Sequence, residues 1–150
     1  MLTRQAVPTL DRERFASAQG VRRGAYVLSD GAYGTPQLIL IASGSEVALI
    51  VAAAERLQKE DISVRCVSMP SWQLFDALPQ DQRDAVLPPT VHARLAVEAG
   101  STQGWNSYVG DGGDVIGVDR FGASAPGGVV MREYGFSVEN VCARAKALQS

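Results

Sequence analysis

Short apolar runs and helically spaced apolar positions alternate along this chain, most clearly between Leu38 and Glu60. Leu38-Ile39-Leu40-Ile41-Ala42 is a continuous apolar run bounded by turn formers, which predicts a buried strand. Ser43-Gly44-Ser45 interrupts it. From Glu46 to Glu60 the apolar positions Val47, Ile50, Val51, Ala54 and Leu57 then repeat at helical spacing. Ser43 and Ser45 are each suited to cap that helix, and Glu46 favours the positive end of its dipole. Glu55 and Lys59 are spaced to pair on the outer surface. Ala48, Leu49, Ala52 and Ala53 make the opposite side apolar as well, so the first turns should be covered from two directions. A strand, a turn and a helix in this order are half of a βαβ unit, which predicts an α/β domain.

The rest of the chain extends the pattern. Tyr26-Val27-Leu28 reads as a short strand, and the turn-rich Ser29–Pro36 connection allows it to pair with Leu38–Ala42 as a hairpin, or to be the antiparallel member of a mixed sheet. Val64–Ser68, Arg94–Glu98 and Val115–Val118 supply three further strands, and a short helix is expected from Pro79 to Val86. Gly100–Asp114 is a glycine-rich loop with a helical turn around Trp105 and Tyr108. Pro126 opens a helix to about Tyr134, with Gly135 as its C-terminal cap. Ser137 caps the last helix, Phe136 and Val141 are spaced as a hydrophobic staple, and Val138, Val141, Cys142, Ala145 and Leu148 form its core stripe. The expected fold is a three-layer α/β domain from about Gly24 to Leu148, with a mostly parallel, five-stranded mixed sheet flanked by helices. Met1–Gly24, polar and holding Arg12, Arg14, Arg22 and Arg23, reads as an arm or linker.

Composition narrows the function classes. The 150 residues are 46% hydrophobic and 20% charged, enough for one domain with a sizeable core. A net charge of -2 with no basic, aromatic-interleaved stripe gives no nucleic-acid footprint. No apolar run approaches the ~18–20 residues of a membrane span. Cys66 and Cys142 sit in strand-like and helix-like contexts, as buried thiols of a reducing compartment would. His92 is the single histidine, which excludes most histidine-dependent triads and metal clusters within this chain.

Four features bear on chemistry. Ser43-Gly44-Ser45-Glu46 joins a strand to a helix start, where an anion can bind, but it lacks a phosphate-loop lysine, a glycine fingerprint and the glycines of a nucleophile elbow. Gly110-Asp111-Gly112 with Asn140 imitates the spacing by which thiamine-diphosphate enzymes hold their metal-diphosphate. Here the triplet precedes a strand instead of ending one, and Asn140 falls inside a helix, so the triplet reads as a turn. Glu98 closes a strand at the carboxyl edge of the sheet, where a hydrogen bond to a neighbouring loop is the expected role, and Trp105 and Tyr108 are expected to anchor their loop. Arg4 ends a strand-like stub and suits bidentate phosphate contact, although a solvated linker arginine is the plainer reading.

Arg120–Val138 (RFGASAPGGVVMREYGFSV), Val67–Asp76 (VSMPSWQLFD), Val86–Gly100 (VLPPTVHARLAVEAG), Ala42–Val47 (ASGSEV) and Leu2–Gln5 (LTRQ) together closely resemble the C-terminal end of bacterial-type transketolases. Deoxyxylulose-phosphate synthases and 2-oxo acid dehydrogenase β chains have a related third domain but differ at these blocks. The resemblance implies that residues 1–24 are the end of a pyrimidine-binding domain with its linker, and that residues 25–150 are the third domain. It implies a cytoplasmic, homodimeric enzyme of the pentose phosphate pathway. That enzyme moves a two-carbon ketol unit between ketose and aldose phosphates with thiamine diphosphate and Mg2+. Of its site residues only Arg4 carries over, as the arginine that binds the substrate phosphate. The catalytic, cofactor and metal residues belong to other domains, so the chain alone is expected to be inactive. The competing class is a freestanding ligand- or partner-binding α/β module.

Overall fold

The computed structural model describes residues 6–31 and 34–149. Its central strand is β2 (Leu38–Ala42), buried along its whole length. Strand alternation sends Leu38, Leu40 and Ala42 into one core cluster and Ile39 and Ile41 into another. β3 (Val64–Ser68) and β4 (Arg94–Val97) run parallel to β2, one on each side, and β5 (Asp114–Ile116) runs parallel to β4. β1 (Tyr26–Ser29) lies antiparallel to β3, giving the order β1-β3-β2-β4-β5. This is the mostly parallel, five-stranded mixed sheet that the sequence predicts.

The hairpin between the first two strands does not form. Both edges of β2 are occupied by parallel partners, so β1 takes the outer edge of β3, with Tyr26 opposite Ser68 and Val27 opposite Val67. An irregularity at Leu28 then shifts the register to place Ser29 opposite Cys66.

Among the described residues the helices are α1 (Glu46–Gln58), α2 (Trp72–Asp76), α3 (Gln80–Val86), α4 (Asn106–Val109), α5 (Gly127–Glu133) and α6 (Val138–Ala147), with a 3₁₀ turn at Ala18–Arg23. Ile50, Val51 and Leu57 of α1 and Val141, Cys142 and Ala145 of α6 fill the cluster on one face of the sheet. Phe75 of α2, Val86 of α3, and Tyr108 and Val109 of α4 fill the other with Trp105. The result is three layers. The second apolar side of α1 is covered within this chain at Ala53, whose carbonyl accepts from Cys142 Sγ at 3.6 Å, and at Leu49, which packs on the same core. Ala48 and Ala52 stay half-exposed.

The arm is tied down instead of trailing free. Ala16 N–H donates to the Leu28 carbonyl at 2.9 Å, and Leu10 and Phe15 pack against the core. Arg14 pairs with Glu55 at 2.8 Å, which replaces the expected Glu55–Lys59 pair. α2 is an element that the hydrophobic pattern does not reveal: Ser71, after a strand-ending proline, accepts from Leu74 N–H and starts a helix of little more than one turn.

Helix ends follow local chemistry where glycine or serine stands alone. Gly135 (φ 87°) closes α5 in a Schellman motif, with its N–H on the Arg132 carbonyl and Phe136 N–H on the Met131 carbonyl. Ser137 accepts from Asn140 N–H as the cap of α6, and Phe136 and Val141 are buried in one cluster as the staple requires. α1 ends in the same motif, with Asp61 N–H on Gln58 and Ile62 N–H on Leu57, both 3.2 Å. Here the left-handed position falls on Asp61 (φ 62°), a residue with a Cβ. Asp61→Gly should therefore stabilise the chain by about 1 kcal/mol, read from urea unfolding at unchanged m-value. A destabilised variant would show that the Asp61 side chain does more than occupy a turn.

Candidate functional site

The chain path reverses at β2, which has β3 on one side and β4 on the other, so a crevice opens beyond the carboxyl ends of β2 and β4. Two polar residues meet there. Ser43, just after β2, donates its hydroxyl to Glu98 Oε2, just after β4, at 2.6 Å. The expected hydrogen bond of Glu98 to a neighbouring loop is thus made by the β2–α1 turn. Glu46, the first residue of α1, is only 5% exposed and accepts from Ser45 Oγ at 2.8 Å. Neither serine side chain caps the helix, contrary to expectation: both hydroxyls are turned to carboxylates, and Ser45 has helical backbone (φ -67°, ψ -28°) instead of the extended backbone of a capping residue.

Burial pushes the Glu98 carboxyl above the ordinary carboxylate range; the Ser43 hydrogen bond pulls it back, and the charge of Glu46 raises it further. The positive end of α1 is therefore already faced by two acidic side chains of the protein itself, which disfavours an external phosphate at this turn. The crevice continues into a cavity of about 310 Å³ bordered by Met69, Ser71, Trp72 and Trp105. Trp105 is 1% exposed and meets Trp72 edge to face, with ring centroids 5.2 Å apart. Tyr108 OH donates to Asp76 at 3.0 Å, so both aromatic residues anchor their loop, as expected from sequence. Trp72 was not among the expected site residues; the serine that starts α2 is the signal that would have placed it beside this crevice.

The remaining candidates lie apart. Arg4 falls outside the described residues. His92 is exposed just before β4, at the opposite end of the strand from Glu98 and Ser43, and so does not pair with them. Asp111 is exposed in the turn before β5, and the Asn140 amide donates to the Gly135 carbonyl at 2.9 Å. These residues do not make a cradle for a metal-diphosphate, and among the described residues no three His, Cys, Asp or Glu side chains are grouped to hold a metal. Cys66 is buried with its thiol pushed up to about 12 by burial, an unreactive core sulfur. Among the described residues no helix is long and apolar enough to cross a membrane.

Residues 24–137 match the family model described as a transketolase-like TK C-terminal domain. The chain belongs to the transketolase C-terminal domain family. It is 53% identical to the transketolase of Geobacillus stearothermophilus over 148 residues, which are 99% of this chain and 22% of that protein. It is 51% identical to the Bacillus subtilis transketolase over the same shares of the two chains. The chain thus spans about a fifth of the length of the relatives it matches. Among solved structures, the transketolase from Leishmania mexicana superposes with a TM-score of 0.80 at 43% identity, covering 89% of this chain and 19% of that one. A Pichia stipitis transketolase superposes with a TM-score of 0.85 at 32% identity, covering 97% and 20%. These matches favour transketolase over the related synthase and dehydrogenase families.

In this transketolase domain the switch-point crevice has a pH signature. The folded state holds the Glu98 proton more tightly than the unfolded chain does, so its contribution to stability is complete below the ordinary carboxylate pKa. It is lost as pH rises from there through the raised folded value. Glu98→Gln should flatten stability over that mildly acidic window, and at neutral pH it should be at least as stable as the parent. Urea titrations at a series of pH values would show this, and an unchanged slope would remove Glu98 as its source.

Proposed function

We propose that this chain is the C-terminal part of a transketolase, the enzyme that transfers a two-carbon ketol unit between ketose and aldose phosphates. The similarity that supports this runs at 53% identity over 99% of the chain. The substrate class is supported by solved Pichia stipitis transketolases in complex with sedoheptulose 7-phosphate and fructose 6-phosphate. In the full-length enzyme, a cytoplasmic homodimer, thiamine diphosphate and Mg2+ are held by the preceding domains, and residues 1–24 join the pyrimidine-binding domain to this one. The present domain acts as a scaffold: two apolar clusters cover the faces of its sheet, and the arm that leads back toward Arg4 is fastened to β1 at Ala16 and to α1 at Arg14.

Arg4 is assigned the phosphate of the sugar substrate through a charge-assisted, bidentate contact. In the full-length enzyme, Arg4→Ala should cost about 1.5–3 kcal/mol in kcat/KM for sugar phosphates, roughly 10- to 150-fold, and little for an unphosphorylated ketose. Equal losses for both substrates would take Arg4 out of the phosphate site. For the 150-residue chain alone, calorimetric titration with thiamine diphosphate should give no binding heat with or without Mg2+. Micromolar binding there would move the cofactor site into this domain and overturn the scaffold reading.

A further inference from the structure

Between β5 and α6 the chain gives the core Phe136, with Val118, Met131 and Tyr134 packed against the same cluster, and leaves the intervening segment outside both clusters. Every residue from Asp119 to Val129 is exposed, and α5 carries no buried residue. Phe121 is 99% exposed and Val129 40%, while Val130 and Met131 are half-covered. A large aromatic ring wholly in water, eight residues before the exposed Val129 of α5, is an uncommon arrangement for a surface with no partner.

The start of this segment is nonetheless firmly placed. Asp119 accepts from Thr102 N–H at 2.9 Å, Thr102 Oγ1 at 2.6 Å and Ser101 Oγ at 3.2 Å. The Arg120 guanidinium lies over the Tyr134 ring, 4.2 Å from its centroid, and donates to the Glu133 carbonyl at 3.0 Å. Tyr134 OH donates to the carbonyl of Phe121 itself at 2.8 Å. The backbone that leads into Phe121 and its own carbonyl are thus held while its ring stands in solvent. A backbone placed in advance reduces the ordering cost of association, a property that suits an interface anchor.

The chain makes up only 22% of the length of the transketolases it matches, and the exposed segment lies inside the stretch that matches the family. We propose that the Phe121 loop and the outer face of α5 are the surface by which this domain docks onto the preceding part of the full-length transketolase chain, with Phe121 as the anchor. The proposal rests on the reading of the chain as the C-terminal part of that enzyme. It adds which face is used.

Hydroxyl-radical footprinting with mass spectrometry tests this on the 150-residue chain and on the full-length protein. Labelling of the Phe121 ring should fall about tenfold or more in the full-length protein, as for a buried anchor, with parallel loss at Val129. Equal labelling in both would overturn the proposal. Protection that appears in the short chain as its concentration rises, and does not increase in the full-length protein, would assign the face to a second copy and overturn it equally. Phe121→Asp supplies an independent arm. It should leave the melting temperature of the 150-residue chain unchanged, yet restore labelling of Val129 in the full-length protein; continued protection there would remove Phe121 as the anchor. Ketol transfer is not the readout. An inactive full-length protein with a protected Phe121 would sink the functional assignment and leave the docking face standing.

Discussion

Burial of β2 on both faces is the constraint from which the rest of the domain follows. Five apolar residues in succession, Leu38 to Ala42, have no side to turn toward water. Both edges of the strand must then be paired and both faces covered, which places β3 and β4 beside it and helices above and below. Because the two neighbours lie on opposite sides, the chain reverses there, and the polar crevice of Ser43 and Glu98 arises at the end of the same strand. The site most exposed to a functional reading is thus a by-product of the packing that makes the fold stable.

What occupies that crevice decides how it is read. A helix start after a serine-glycine turn suggests an anion cradle, yet two buried or half-buried carboxylates already answer the dipole of α1. At the other end of β4, Arg94 collects four carbonyls, those of Val91, Tyr108, Leu87 and Pro88, within 2.7–3.2 Å. One guanidinium therefore ties the ends of α3 and α4 to the sheet and satisfies acceptors that would otherwise be stranded. The polar groups of this domain mostly serve its own architecture, which agrees with a scaffold in a larger enzyme.

Features carried by short stretches were legible in the sequence. The strands, α1, α3, α6, the Gly135 cap, the Ser137 cap and the Phe136–Val141 staple are set by residues within a turn or two of one another. Features set by distant partners were not. β1 pairs with β3 because β2 has no free edge, which no local pattern states. Glu55 turns to Arg14, and Ser43 to Glu98, because the arm and the β4 loop arrive from 41 and 55 residues away. α2 is too short to show a period, and β5 runs from Asp114 to Ile116 instead of Val115 to Val118 because its ladder with β4 pairs Leu95 with Asp114 and ends at Val97 opposite Ile116. The solvent position of Phe121 was likewise hidden, since an aromatic residue in a glycine-rich run reads equally well as core.

We propose that this chain serves a transketolase chiefly as a scaffold, with Arg4 the one group that it lends to substrate binding. A chimera settles it most directly: the Geobacillus stearothermophilus transketolase with its matched 22% replaced by this chain, which is 53% identical to that part. The chimera should assemble as the parent does and retain ketol transfer between sugar phosphates with the substrate preference of the parent. A correctly assembled chimera that binds its cofactor but fails to transfer the ketol unit would contradict it.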